Sequence, residues 1–283
     1  MNSTKTDDRV NMSALAPPIL LNKQYAEPTV FTAQNLLREA RRQKALQRVS
    51  VPRICVLDPD GDIVRWLVHT QDLQRDPGWA CYHTDLLVFT HEDTRFGIIG
   101  CAVGGSFAVL VAEELFACGC ELLISVTSAG QITPVGDPPY FVLIEKALRD
   151  EGTSYHYVPP ADFSHIRPEL LLMLGDVFAQ ARVAVHRGAT WTTDAPFRET
   201  ASAIAHCRDL GIMAVEMEAA ALYAFAEARH KAVVCLAHVT NQMASCEGDF
   251  EKGAAGGSQD ALHVVTLAAH AWQSHESTSC GRR

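Results

Sequence analysis

The alternation of apolar, β-rich segments with helical patterns constrains the fold of this 283-residue chain most strongly. Six apolar runs lie at 53–57, 96–102, 122–127, 140–144, 183–189 and 233–239. Helical patterns lie at 35–49, 107–118, 168–180, 198–209, 216–229 and 259–272. Continuous runs of Val, Ile and Leu that alternate with helices are typical of a largely parallel sheet with both faces covered. The pattern therefore predicts an α/β protein with helices on both sides of a sheet.

The two ends of the chain differ in composition from the middle. Residues 1–30 are rich in Ser, Thr, Pro and Asn, which predicts an irregular N-terminal segment. No internal repeat or linker divides the remainder, so we expect residues 31–273 to form a single domain. We expect residues 274–283 to be a disordered tail. The helix predicted at 35–49 carries Arg38, Arg41, Arg42 and Lys44, interpreted as a solvated face or an oligomer contact.

Composition excludes several classes of protein. The formal net charge of −9 argues against a nucleic-acid binder, because such affinity rests on Lys and Arg neutralising phosphates. No apolar run is long enough to span a membrane, and residues 1–16 lack the hydrophobic core of a signal peptide. The nine cysteines are scattered without the spacing of a zinc site, which favours free thiols in a reducing compartment. We therefore expect a cytoplasmic protein with no metal and no cofactor.

Two carboxylates stand close together at the start of the Ala-rich helix predicted at 216–229. Glu216 and Glu218 flank Met217. A helix N-terminus accommodates one acid through the helix dipole, but this does not account for both. A buried carboxylate is costly unless donors satisfy it, and a polyhydroxyl ligand such as ribose supplies them. The pattern is therefore consistent with a sugar-binding site at this helix.

The segment 215–220, Val-Glu-Met-Glu-Ala-Ala, is similar to the ribose-binding segment of the nucleoside phosphorylase superfamily. That superfamily includes uridine phosphorylase, purine nucleoside phosphorylase and nucleosidases. The resemblance implies that Glu218 binds the ribose hydroxyls, that Met217 packs on the sugar, and that Glu216 lies beside them. It also implies a three-layer α/β fold with a mixed, mainly parallel and partly barrel-like sheet.

A second stretch resembles uridine phosphorylase, without a gap, from the glycine pair at 104–105 to residue 130. The resemblance implies that Gly104, Gly105 and Ser106 line the pocket for phosphate or another nucleophile. It places Ser128 at the ribose. Glycines that open a helix also let backbone N–H groups approach a ligand closely. The segment 147–155, an acid-rich turn after a central strand, supports the same family.

Base-binding residues are expected after two further strands. Phe197 is placed to stack on a nucleobase and Arg198 to donate to a base carbonyl; the alternative is a helix N-cap with a surface Arg. Asn241 and Gln242 end the last predicted strand, where purine-specific relatives carry an Asp as general acid. An amide cannot donate a proton in that way, but it hydrogen-bonds a carbonyl-bearing base. This favours a pyrimidine or a 6-oxopurine.

The arginines that bind phosphate in the family are missing. Gly61, Thr84 and Ser125 stand at those three positions. The turn at 58–62 reads Asp-Pro-Asp-Gly-Asp, and its carboxylates repel a phosphate dianion. Water is therefore a competing nucleophile, with Asp58 or Asp60 as general base.

The sequence thus predicts an enzyme that cleaves the N-glycosidic bond of a small-molecule nucleoside, with water slightly favoured over phosphate. One alternative is a phosphate-dependent uridine or purine nucleoside phosphorylase, for which inorganic phosphate is a co-substrate. Another is a non-catalytic nucleoside-binding protein. The resemblance further implies a homo-oligomer, a dimer or a trimer of dimers, because relatives complete each active site with residues of a neighbour.

Overall fold

The computed structural model describes residues 16–243 and 247–280. Its strands are β1 (Ile54–Asp58), β2 (Gln74–Arg75), β3 (Leu87–His91), β4 (Thr94–Gly100), β5 (Leu122–Gln131), β6 (Tyr140–Asp150), β7 (Phe163–His165), β8 (Val185–Thr193), β9 (Ile212–Glu216) and β10 (Ala232–Asn241). Its helices are α1 (Ala33–Lys44), α2 (Asp62–Thr70), α3 (Gly105–Ala117), α4 (Pro168–Leu174), α5 (Ala201–Asp209), α6 (Ala219–Arg229) and α7 (Ser258–Cys280).

One sheet organises the described chain, in the order β10-β6-β8-β9-β5-β1-β4-β3-β2, with β7 added to β6. Because β10 also pairs with β5, the five strands β10, β6, β8, β9 and β5 close into a barrel. Strands β4, β1, β5 and β10 are neighbours in parallel, whereas β10–β6 and β5–β9 are antiparallel. The predicted α/β architecture, with a mixed and partly barrel-like sheet, is confirmed.

Helices α3 and α6 pack closely against each other and against the barrel. Eight of the eleven residues of α6 are buried, and five of these are alanines. A side chain on Gly105 would come within 2.8 Å of Ala221 Cβ, so the glycine is needed for this approach. The Tyr223 hydroxyl donates to Ile144 O at 2.6 Å and accepts from Cys235 N at 3.1 Å, which ties α6 to β6 and β10.

The structure corrects several predicted boundaries. The helix predicted at 216–229 begins at Ala219, because Glu216 ends a strand, β9, that the sequence analysis did not predict. Helix α2 and strands β2, β3 and β7 were also missed.

The chain termini also differ from the prediction. Helix α7 continues to Cys280, so disorder was the wrong prediction for residues 274–280, while residues 281–283 lie outside the described residues. Three hydroxyls bond back to the helix at this end, since Ser274, Ser277 and Thr278 each donate to the carbonyl four residues earlier. Of the predicted irregular segment 1–30, only residues 16–30 are described, and they contain a single 3-10 turn at Pro18–Leu20. Among the described helices, none combines the length and apolarity required to cross a membrane.

We predict that Tyr223→Phe lowers stability by about 1–3 kcal/mol, because it leaves the buried Cys235 N–H without its acceptor. The melting temperature should fall by about 2–4 °C for each kcal/mol. Thermal unfolding at a fixed protein concentration measures the effect. Tyr82→Phe is the matched control, since the Tyr82 hydroxyl donates to Gln43 on the surface of the protein. Equal melting temperatures for the two variants would contradict the bridging role of Tyr223.

Candidate functional site

The predicted site residues gather where strands end and helices begin. Asp58 ends β1, Glu216 ends β9, and Asn241 ends β10. Ser128 lies near the end of β5, and the first turn of α3 follows β4. Ligands of α/β sheets bind in the crevice beyond the carboxyl ends of parallel strands. The topology therefore brings together residues that are far apart in the sequence.

Glu216 is a buried carboxylate whose hydrogen bonds are all internal to the fold. Its Oε1 accepts from the hydroxyls of Thr190 and Thr192, at 3.1 and 2.5 Å. Its Oε2 accepts from the backbone N–H groups of Glu218 and Ala219, both at 2.7 Å. Burial raises the pKa of Glu216, and these four donors act against that shift. Glu216 therefore holds β8, β9 and the start of α6 together, and its predicted contact with ribose is not needed to explain its burial.

Glu218, at the N-cap position of α6, is held less completely. It is only 1% exposed, and its two oxygens accept one hydrogen bond each, from Gly104 N at 2.7 Å and Thr127 Oγ1 at 2.8 Å. Burial, and next the charge of Glu216, raise the pKa of Glu218 to about 8. At neutral pH the unliganded carboxyl is therefore mostly protonated. Each oxygen retains a lone pair for a ligand hydroxyl. Met217, half-buried, lies between the two acids.

The carboxylates of the acidic turn at 58–62, which begins at the end of β1, lie in different environments. Asp58 is 2% exposed and accepts from Gly61 N at 3.1 Å and Val64 N at 2.8 Å. Burial raises its pKa to about 7. Asp60 is half-buried, and its Oδ2 accepts from Ser128 N at 2.6 Å. The three acids of the turn, Thr127 and Ser128 line one small cleft.

Positive charge near this cleft is already paired. Arg65 donates to the Asp60 carbonyl and to Asp62 Oδ1, both at 2.7 Å, and Lys252 bonds to Asp62 as well. His238 stacks on Phe141 with ring centroids 4.5 Å apart. Burial and the nearby Lys252 lower the pKa of His238 to about 4, so the imidazole is neutral. The cleft therefore offers little free positive charge to an anion.

The glycine pair before α3 orients a donor and permits close packing. Gly104 has φ of +87°, a conformation that glycine adopts without strain, and its N–H is aimed at Glu218. Gly105 allows α3 to approach α6, and Ser106 is exposed in the first turn of α3. Of the three predicted residues, Gly104 thus contacts the ribose candidate Glu218 directly, and Gly105 and Ser106 follow it in the first turn of α3.

The predicted base-binding residues are not all gathered at the carboxylates. Asn241 is 8% exposed, and its side chain is fixed: Oδ1 accepts from Met243 N at 2.9 Å, and Nδ2 donates to Thr240 Oγ1 at 3.2 Å. Gln242 is exposed, and its backbone N–H donates to Asp249. Phe197 is 97% exposed and Arg198 is exposed in the turn Pro196–Arg198. In the single chain Arg198 lies on the surface, as in the alternative of a helix N-cap with a surface Arg, but Thr200 provides the N-cap of α5.

Sequence reasoning missed the hydroxyls that position both acids. Thr190 and Thr192 are two residues apart on β8, so both face the same side of the sheet, toward Glu216. Thr127, on β5, holds Glu218. Hydroxyls inside an otherwise apolar strand are a usable signal, because a buried hydroxyl needs a partner. Among residues 16–243 and 247–280, no group of three or more His, Cys, Asp or Glu side chains is arranged to hold a metal ion.

Comparison with known sequences assigns most of the chain to the family that the sequence motifs resemble. The model of the phosphorylase superfamily matches residues 53–269. An uncharacterized protein of Acanthamoeba polyphaga mimivirus is 31% identical over 134 residues, which is 47% of this chain and 51% of that protein. A uridine phosphorylase of Thermococcus kodakarensis is 28% identical over 148 residues, covering 47% of this chain and 52% of the relative. A DeoD-type purine nucleoside phosphorylase of Streptococcus pyogenes is 29% identical, covering 50% and 60%.

These alignments are partial, because the chain matches about half the length of the first curated relatives. The fold comparison extends further. The crystal structure of uridine phosphorylase from Vibrio fischeri ES114, in complex with 6-hydroxy-1-naphthoic acid, superposes with a TM-score of 0.68 and 18% sequence identity. That match covers 82% of this chain and 99% of the other. The family model and the shared fold, taken with the buried acid pair, show that this chain belongs to the phosphorylase superfamily.

Proposed function

We propose that the protein hydrolyses the N-glycosidic bond of a nucleoside whose base is a pyrimidine or a 6-oxopurine. One observation carries the choice of water as the nucleophile: Asp60 Oδ2 accepts a hydrogen bond from Ser128 N at 2.6 Å. A backbone N–H at the end of a central strand is a natural donor for an anionic co-substrate. In this chain a carboxylate of the protein already occupies it.

Electrostatics supports the same choice. A phosphate dianion in this cleft would have to displace Asp60 and lie beside Asp58 and Asp62. Like charges a few ångströms apart repel strongly away from bulk water, and this repulsion comes mainly from Asp60, because Asp62 is paired with Arg65 and Lys252. A water molecule carries no such penalty. The second oxygen of Asp60, Oδ1, has no hydrogen-bond partner among the described residues and is available to accept a proton from water.

The proposed roles follow from these contacts. Glu218 binds the ribose hydroxyls, and Met217 packs against the sugar. Ser128 contacts the sugar from its position near the carboxyl end of β5. Water attacks C1′ of the ribose, its proton passes to Asp60, and the C1′–N bond breaks with its electron pair moving to the base. The carboxylates of the cleft stabilise the positive charge that develops on the sugar. Asn241 lies on the base side; Phe197, Arg198 and Gln242 complete that side if a ligand or a neighbouring subunit draws them in.

Phosphorolysis is the second candidate, and the position of Arg65 favours it. Its guanidinium lies at the acidic turn, 2.7 Å from the Asp60 carbonyl oxygen. If Arg65 were released from Asp62, its guanidinium could bind phosphate in place of the family arginines that this chain lacks. The third candidate, a nucleoside-binding protein without turnover, keeps Glu218 and its two donors but requires no nucleophile.

Assembly and location belong to this proposal as well. We propose a homo-oligomer, a dimer or a trimer of dimers, in the cytoplasm, acting on a small-molecule nucleoside without a cofactor. The exposure of Phe197 and Arg198 supports an assembly in which a neighbour covers the base side of each site.

Turnover should not require inorganic phosphate. We expect uridine or inosine to yield free base and free ribose in phosphate-free buffer, with a rate that changes little as phosphate is added. Product analysis across a phosphate titration distinguishes free ribose from ribose 1-phosphate. A rate that is zero without phosphate and then saturates would establish phosphorolysis. A thermal shift with nucleosides but no product under either condition would establish the non-catalytic binder.

Asp60→Asn should lower kcat by about 10²-fold or more, because general-base catalysis typically contributes 10²–10⁴-fold. KM should change little, since Asp60 is not assigned to the sugar or the base. Steady-state kinetics measures both constants, with Asp72→Asn, an exposed acid outside the cleft, as the control. A kcat within a few-fold of the parent enzyme would rule out Asp60 as the base.

Substitution of Glu216 and substitution of Glu218 should cause different defects. Glu218→Gln should weaken nucleoside binding about ten-fold or more, because the amide NH₂ that replaces one oxygen cannot accept from a ribose hydroxyl, and a buried polar group left unpaired costs about 1–3 kcal/mol. Glu216→Gln should mainly lower the melting temperature, because a single amide oxygen replaces the two oxygens that accept four hydrogen bonds. Binding and thermal unfolding are measured on both variants. Equal changes in affinity with unchanged stability would contradict this division of roles.

A further inference from the structure

A basic groove lies away from the cleavage site and takes no part in the proposed reaction. We define it by Asn35, Arg38, Arg41, Arg48 and Ala117, which line a cavity of about 430 Å³ between α1, the segment that follows it, and the end of α3. Its floor includes Leu37 and Leu46. A cavity of this size falls in the range of small-molecule sites, about 300–1,000 Å³.

The charge around the basic groove opposes that of the whole chain. Between residues 38 and 48 there are five cations, Arg38, Arg41, Arg42, Lys44 and Arg48, and one carboxylate, Glu39, in a chain of net charge −9. Clefts lined by charge of one sign focus the electrostatic field and concentrate counter-ions. The cluster therefore attracts anions in a protein that otherwise repels them.

Two arginines of the groove have no acidic partner among the described residues. Glu39 pairs with Arg38 and Arg42, at 3.0 and 2.8 Å. Within the described residues the Arg41 side chain hydrogen-bonds to the thiol of Cys118, from Nη2 at 2.9 Å, and its Nε is buried without an acceptor there. Arg48 forms no ion pair within the described chain. An under-satisfied guanidinium gains most from a ligand with several oxygen acceptors, and its planar fork matches phosphate.

A second cavity adjoins the groove and is lined by aromatic and aliphatic side chains together with charged ones, among them Glu113 and Glu114. It has a volume of about 650 Å³ and shares Gln34 and Ala117 with the groove. Its walls include the aromatic rings of Phe31, Phe116 and Tyr157. Aromatic side chains provide flat apolar surface for a planar ring. At the far wall Lys231 Nζ lies 5.4 Å from the Phe116 ring centroid.

We propose that the two adjoining cavities form a binding site for a nucleotide, with its phosphates on Arg38, Arg41 and Arg48 and its ring among the aromatic side chains. The site is distinct from the cleavage site. Gly105, beside Glu218, and Ala117, in the groove, are the first and last residues of α3, so about 18 Å of helix separates them at 1.5 Å per residue. A nucleotide therefore occupies the opposite end of the helix whose start carries the glycine pair.

The test measures binding of ADP, inorganic tripolyphosphate and adenosine to the full chain by titration calorimetry. We expect ADP to bind more tightly than tripolyphosphate, because only ADP fills both cavities. The double variant Arg38→Gln/Arg48→Gln should weaken ADP binding about ten-fold or more. Leu110→Trp, which places a large side chain in the second cavity, should remove the advantage of ADP over tripolyphosphate.

Two controls separate this site from the cleavage site and from general charge effects. Arg187→Gln removes an exposed arginine that pairs with Glu145 elsewhere, and it should leave ADP binding unchanged. Glu218→Gln should also leave it unchanged, and saturating adenosine should not displace ADP. Competition by adenosine together with loss of ADP binding in Glu218→Gln would overturn the proposal, because ADP would then occupy the cleavage site.

Two further outcomes would also overturn it. One is the absence of saturable ADP binding to a parent protein that melts cooperatively. The other is a change in mass by light scattering in Arg38→Gln/Arg48→Gln without any loss of ADP binding, which would show that the groove contacts an acidic segment of a second copy of this chain.

Discussion

The four hydrogen bonds to the buried carboxylate of Glu216 are the interaction on which the site depends. They join two hydroxyls of β8 to two backbone N–H groups at the start of α6. A buried charge is tolerated only when its lone pairs are satisfied, so the geometry around Glu216 is strongly specified. This network fixes the turn that carries Met217 and Glu218. The second acid therefore reaches the barrel end in a defined position, against Gly104 and Thr127.

Acid groups in three different environments lie in the cleft or next to it, where Glu218 bonds to Thr127. Asp58 and Glu218 are buried, and their pKa values of about 7 and about 8 keep a large neutral fraction near physiological pH. Asp62 is neutralised by two cations, which lower its pKa although its partial burial opposes them. Asp60 is the more open acid, held by a single backbone N–H. Perturbed carboxyls that converge on a crevice are typical of functional sites.

The fold was predictable because its determinants are local and repetitive. Apolar β-rich runs such as 122–127 and 233–239 became the centres of β5 and β10, and the Ala-rich pattern became α6. Strand β9 was missed because its five residues directly precede α6 and share its apolar composition. The Ser/Thr-rich end of α7 misled the prediction because hydroxyls that favour loops also satisfy helix carbonyls four residues earlier.

The sequence by itself determined the family, the α/β alternation, and the pairing of two acids around Met217, because these depend on residue order and spacing. Only the tertiary structure decided which acid is fully hydrogen-bonded within the fold and which accepts one bond per oxygen, because that depends on donors from β8, β5 and the N-cap of α3 that lie about 25 to 115 residues away. The contact of Asp60 with Ser128 spans 68 residues and arises only because β1 and β5 pair side by side. Long-range pairing of this kind is set by packing of the whole sheet, and no local pattern encodes it.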